Sequence, residues 1–337
     1  MTSLLCVRRI LSVLPLALLP ACAPDPAAPS PSAGFDATRT LTATQVMQDA
    51  FRAGPWLSFR ALGTAMDARV AATASAAPGS ALSAGVPRLP FELRGRTLVY
   101  DTLLEHYVVD ESRTGAPANG VRFVVYEVDS LTGRPVVSRE IGFAEITDEG
   151  DALASGVALH LQVITGGVRR LDYFVRADGS DTTGMLVAAG TVGDGLGALR
   201  FEVGLAAVRS AADSLTMRFA FELPAHGFAA TGALRNVSDG VGTVGEAAVA
   251  VRAGADLIEL NARGDSTAME ATFRVNGHLF ARVAGEPSNP VIHGEGGRPL
   301  TEGERQALAA IMGLAGDVFG VVQALLQPAG GLLGVGR

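Results

Sequence analysis

The side chains best suited to metal binding or proton transfer near neutral pH are five histidines: His106, His160, His226, His278 and His293. No two stand in an HxH, HxxxH or HExxH arrangement, so a metal site would have to be assembled entirely by the fold. Strand alternation places His160 on a solvent face. Acid clusters at Asp148-Glu-Gly-Asp151 and Asp178-Gly-Ser-Asp181 offer the hard oxygens that calcium takes. Neither follows an EF-hand loop or a nonapeptide repeat, and solvated turns are the expectation. Gly193-Asp-Gly195-Leu-Gly197 has the glycines of part of a nucleotide loop, but an alternating segment, Leu199 to Leu205, follows it. A phosphate loop needs a helix N-terminus there. No G-x-S-x-G occurs, and no Ser, Thr or Cys is flagged by its neighbours as a nucleophile. The expectation is therefore no catalytic, metal or cofactor residue and no enzyme. A pair of acids converging from distant strands stays open, with 34 acidic residues to draw on.

The elements that would position such groups are mainly β. From Phe91 to about Glu286 apolar residues recur at period two, as in Leu215, Met217, Phe219 and Phe221 with Ser214, Thr216, Arg218 and Glu222 opposite. The rows Val157-Leu159-Leu161-Val163, Leu199-Phe201-Val203-Leu205 and Met269-Ala271-Phe273-Val275 repeat the pattern. One buried and one wet face is the signature of an antiparallel sheet. Asx-Gly pairs at Asn119-Gly120, Asp178-Gly179, Asp194-Gly195, Asp239-Gly240 and Asn276-Gly277 mark turns about every ten residues. About a dozen strands in an up-and-down meander follow from that spacing. A sheet of that size tends to curl, so the predicted form is a barrel or half-barrel. Sparse aromatic girdle residues, one Trp and four Tyr, argue against an integral outer-membrane barrel.

Helical periodicity appears at both ends. Residues 41–77 read as two short helices divided at Gly54-Pro55, with Thr42 or Thr44 as cap. Residues 78–90 and 287–300 read as linkers. Thr301 and Glu304 form a capping box opening a helix over 301–327, apolar on nearly all sides from Leu308 to Leu326, with a loose tail at 328–337. Such a helix must be buried, on or inside the sheet or, by its marginal length, in a bilayer.

The chain begins with Arg8 and Arg9, an apolar run from Ile10 to Leu19, and then Pro20-Ala21-Cys22. This is the layout of a secretory signal over residues 1–21, too short to span a membrane. Leu19-Pro20-Ala21-Cys22 resembles the lipobox of bacterial lipoproteins, with Pro20 an uncommon residue at its place. The resemblance implies that Cys22 is lipidated and becomes the N-terminus. It also implies an outer-membrane address, because Ala23 stands where inner-membrane retention usually has aspartate. Cleavage removes Cys6, so the processed chain would have no free thiol for a disulfide or a Cys-ligated zinc. Of the 27 basic residues, all arginine, 25 remain after Arg8 and Arg9 are lost, against 34 acids, a formal charge of −9. That charge disfavours nucleic acid as a partner. The Pro- and Ala-rich stretch within 22–40 reads as a tether.

Function is read less far. A half-barrel closed by a helix is similar in outline to the lipid- and lipoprotein-carrying proteins of bacterial envelopes, which makes a membrane-anchored binder of a lipid or acyl chain the first expectation. The alternative is a structural or interaction lipoprotein that recognises another envelope protein.

Overall fold

The computed structural model describes residues 36–52, 54–66, 89–150, 157–180, 182–193, 198–210, 212–238 and 242–333. Three α-helices and fifteen strands are present among them: α1 Ala37–Ala50, α2 Gly54–Met66, β1 Arg96–Asp101, β2 His106–Val109, β3 Gly120–Val128, β4 Pro135–Asp148, β5 Val157–Thr165, β6 Val168–Gly179, β7 Thr183–Val192, β8 Leu199–Val208, β9 Asp213–Leu223, β10 Phe228–Ser238, β11 Thr243–Ala253, β12 Asp256–Gly264, β13 Met269–Val275, β14 His278–Gly285, β15 Val291–Gly294 and α3 Glu302–Leu333. Their hydrogen-bonded order is β2-β1-β3 and then each strand in turn to β15. The protein is thus mainly β, a long antiparallel meander, with β1 pairing in parallel with β3 over Arg96↔Val121 to Leu98↔Phe123. It is an open sheet rather than a closed barrel: the terminal strands β2 and β15 are four residues each. Short terminal strands limit edge-to-edge aggregation.

The chain divides into two compact units, residues 49–204 with 321–333 and residues 36–48 with 205–320. In the first, Leu159, Leu161, Val163, Leu171, Tyr173 and Val175 form a fully buried row on β5 and β6. Helix α2 packs on β2 to β5. Its Phe59 meets Tyr173 edge to face with centroids 6.0 Å apart, and Tyr173 in turn lies 5.8 Å from Phe201 on β8. The Tyr173 hydroxyl donates to the Leu325 carbonyl of α3 at 2.8 Å. Burial raises the pKa of that hydroxyl, so it remains a donor.

In the second unit the buried row is Met217, Phe219, Phe221 and Leu223, with Val249, Val251, Ile258, Leu260, Ala271, Phe273 and Val275 on later strands. Asn276 and Gly277 both take positive φ, 51° and 83°, which makes the β13–β14 turn the expected mirror-type hairpin. The Thr301–Glu304 capping box is formed: the Glu304 N–H donates to Thr301 Oγ1 at 3.2 Å, and the Thr301 N–H donates to Glu304 Oε2 at 2.8 Å. Arg298, stacked 4.8 Å over Phe280, donates to both Glu304 carboxylate oxygens at 3.2 Å.

Several expected boundaries move. Helix α1 begins at Ala37, inside the expected tether, because Asp36 is the cap, accepting the Arg39 N–H at 2.9 Å. Thr42 and Thr44 lie within the helix, donating to the carbonyls of Thr38 and Thr40. The expected linker 287–300 contains β15. Helix α3 continues past Gln327 through Pro328 to Leu333, so part of the expected tail is helical. Asp178-Gly179 belongs to β6 rather than to a turn. Leu205 is half-buried rather than part of the core row. The pairs Asp194-Gly195 and Asp239-Gly240, with all of 67–88, lie outside the described residues.

Helix α3 is also less apolar all round than expected. Ala307, Leu308, Ile311, Leu314, Val318, Val322 and Leu325 form one buried stripe, while Gln306, Gly316, Asp317, Gly320 and Gln323 are exposed. Glycine passes for apolar in a sequence pattern but has no side chain to bury. By length and composition alone Glu302–Pro328 would suffice to cross a membrane, with a mean hydropathy of 1.8 over its most apolar stretch. Nearly half of that stretch, 47%, is buried inside the protein.

Candidate functional site

Cys22, the one residue to which the sequence assigns a chemical fate, lies outside the described residues, as do the whole leader and the start of the tether. Among the described residues no three His, Cys, Asp or Glu side chains come together in a way that could hold a metal ion. The histidines stay apart. His106 is buried with its Nδ1 2.7 Å from the Leu104 carbonyl. His278 follows the β13–β14 turn, and His293 is exposed on β15.

His160 is the exception. It sits on the wet face of β5, opposite Phe174 on β6, and the two rings stack with centroids 4.1 Å apart and planes within 9°. Its Nε2 lies 2.6 Å from Asp172 Oδ1, the other Asp172 oxygen accepts from Arg169 at 2.7 Å, and the Gln162 amide is 3.2 Å from the imidazole. A histidine oriented by a carboxylate is half of a general-base arrangement, and such a base needs a hydroxyl within about 3.2 Å. Thr147, the register partner of His160 on β4, is turned elsewhere, donating to Glu149 at 2.9 Å. The cross-strand register explains the grouping: Arg122, Glu145, Gln162, Asp172 and Thr191 face one another in a row over β3 to β7. Arg122 is paired with Glu145 at 2.6 Å. The adjacent residues Asp172 and Tyr173 thus lie on opposite faces, the acid in this polar ladder and the tyrosine in the core. We expect His160→Ala or Asp172→Asn to lower stability by no more than about 1 kcal/mol in a thermal melt, the scale of a partly exposed polar pair.

The second unit has an open groove of about 350 Å³ lined by Asp36, Thr38, Arg39, Thr42, Ala43 and His226. Its floor is well fixed, because the Asp36 N–H donates to Asp256 at 3.1 Å and Asp256 also accepts from Asn276 at 3.2 Å. The groove is open and formed mostly by one helix face, unlike the enclosing pockets that hold small molecules. Sequence reasoning had no access to this groove, since His226 and the α1 residues are far apart in the chain.

The two expected acid clusters do not reach ligand geometry in what is described. Asp148 is bound by Arg94 at 3.1 Å, while Asp151 and Asp181 are among the residues not described. Gly193 is likewise followed by undescribed residues, after which β8 runs as a strand.

No protein-family model, no curated protein and no solved structure matches the chain.

Proposed function

We propose that this protein is a lipid-anchored lipoprotein of the bacterial envelope, held in the outer membrane through Cys22, whose sheet serves as an interaction scaffold rather than as a carrier of apolar cargo. The observation that carries the scaffold reading is the covering of the apolar rows by the chain's own helices. Phe59 and the Leu325 carbonyl meet Tyr173 in the first unit, and the α3 residues Ala307, Leu308, Ile311 and Leu314 are fully buried in the second. A carried acyl chain would have to displace α3. The wet face, by contrast, is a lattice of alternating charge. Register places Arg235, Glu246, Arg263 and Glu270 side by side across β10 to β13, with Arg235–Glu246 at 3.5 Å. Charged faces of this kind support selection among protein partners more than bulk affinity.

Cell fractionation tests the anchor. After an alkaline wash that strips protein held without an acyl chain, the wild-type chain is expected in the membrane fraction and the Cys22→Ser chain in the wash. Retention of the variant in the washed membranes would overturn lipidation as the anchor. Native mass spectrometry of detergent-free protein separates scaffold from carrier: a bare polypeptide mass is expected, and co-purifying lipid released only on denaturation would reverse that choice.

A further inference from the structure

Leu103 and Leu131 are 92% and 95% exposed, the two most exposed large apolar side chains described. They occupy equivalent places in two loops of the first unit, Asp101-Thr-Leu103-Leu104 after β1 and Asp129-Ser-Leu131-Thr132 after β3. In each loop one aspartate oxygen accepts the N–H groups two and three residues on: Leu103 at 2.8 Å and Leu104 at 3.0 Å, Leu131 at 3.0 Å and Thr132 at 2.8 Å. These hydrogen bonds hold both carboxyl groups below the usual aspartate range, with the N–H groups of Leu104 and Thr132 the largest influences. Both turns therefore stay locked at neutral pH, each presenting a leucine to solvent.

The leucines belong to one patch. Parallel pairing of β1 with β3 brings the C-terminal ends of both strands to the same end of the sheet. Arg134, beyond Leu131, then reaches Glu105, beyond Leu103, at 2.8 Å. Two antiparallel steps further, the β5–β6 turn emerges at that end as Gly166-Gly167, followed by Val168, 40% exposed. Turns at the opposite end are polar: Asp110, Glu111, Ser112 and Arg113 between β2 and β3, and Ser180 and Thr182 between β6 and β7. Phe91, 84% exposed, precedes β1 and stands apart from the leucine tips.

We propose that the β1–β2 and β3–β4 loop tips form a membrane-docking edge, with Leu103, Leu104 and Leu131 inserting among lipid headgroups. Two convex tips offer no pocket or flat core of the kind that protein interfaces bury, whereas insertion into a bilayer interface requires only projecting apolar side chains. The Glu105–Arg134 ion pair at the tips neutralises itself, while Asp101 and Asp129 leave the tips acidic. With a processed charge of −9, neutral headgroups suit this edge better than anionic ones. The inference goes beyond the anchor proposed above and does not depend on it.

The test uses the chain from Ala23, which keeps every described residue and lacks both leader and acyl chain. Sedimentation with phosphatidylcholine vesicles should show binding that Leu103→Asp with Leu131→Asp lowers by about a hundredfold, and Leu131→Asp alone by about tenfold, from the loss of buried leucine surface. Phe91→Asp should leave it unchanged. Because both leucines are almost fully exposed, the variants should melt at the parent temperature, which shows that the fold survives. No binding by the parent, equal binding by the double variant, or an equal loss with Phe91→Asp would overturn the proposal. So would loss of an envelope protein crosslink in the double variant without any vesicle binding by the parent, which would assign the edge to a protein partner.

Discussion

The Ile311→Asp chain will fail to show a cooperative thermal transition, while Gly316→Ala will melt above the parent. Both positions lie on α3, five residues apart and on different faces. Ile311 is 0% exposed in the buried stripe. An aspartate there loses the apolar burial of isoleucine, about 1.5 to 3 kcal/mol. It must also either bury an unpaired charge or take up a proton at further cost. The sum is comparable with the whole stability of an ordinary domain, about 5 to 15 kcal/mol. Gly316 is exposed, and a β-carbon added there meets nothing within 4 Å. Alanine in that helix interior should gain up to about 1 kcal/mol, because glycine pays more backbone entropy to become helical. Circular dichroism melts of the two variants read the difference directly. If α3 lay in a bilayer and not in the protein core, the sheet of Ile311→Asp would melt as the parent does in aqueous solution.

Where the chain alone was informative, the signal was local and redundant. The β9 row is read from alternation because each turn of the pleat repeats the same choice, and Met217, Phe219 and Phe221 are buried as that pattern requires. Asn276-Gly277 is legible because the turn needs positive φ at two successive residues and few sequences supply it. Thr301 and Glu304 are legible because a capping box is a bond between residues three apart. What escaped was set by distant packing. Strands β1 and β2 are short, and the parallel pairing of β1 to β3 leaves no mark in any one segment. The first turn of α1 holds no large apolar residue to show its period, yet Asp36 caps it and Asp256 fixes it. Pro328 would ordinarily end a helix. Here it packs against α2, where a β-carbon on Gly63 would come within 3.4 Å of the proline ring. The His160 group and the Asp36–His226 groove escaped for the same reason, since each is assembled from residues on separate elements. Cys22 is the reverse case, legible as a motif and positioned by no packing described here.

Gly190→Ala is expected to be among the most damaging single-methyl additions in this protein, and a comparison of three strand glycines, two on β7 and one on β10, shows why. Gly190 on β7 faces Tyr173 on β6 in register. A β-carbon at Gly190 would collide with the Asp172 carbonyl oxygen and with Tyr173 Cβ, and would lie 2.5 Å from Tyr173 Cα. None of these atoms can turn away, because all belong to or sit next to the backbone of a strand whose tyrosine is locked between Phe59, Phe201 and Leu325. The two strands must separate, and a loss of about 3 kcal/mol or more is expected from overpacking of this kind. Gly232 on β10 stands in the same relation to Phe219 on β9, but there the nearest atom is the ring tip, at 2.5 Å. The Phe219 side chain can swing aside about χ1, and the Ala248 carbonyl oxygen, 2.8 Å away, needs a smaller shift than the atoms at Gly190, so Gly232→Ala should cost less, and adding Phe219→Leu should recover part of the loss. Gly184, near the start of β7, has nothing within 4 Å of an added β-carbon, and Gly184→Ala should be neutral or slightly stabilising. Urea unfolding of the three alanine variants should therefore rank their midpoints Gly190 lowest, Gly232 intermediate and Gly184 at or above the parent. A Gly190→Ala chain as stable as the parent would mean that the β6–β7 register, and with it the placing of Tyr173 under α3, is wrong.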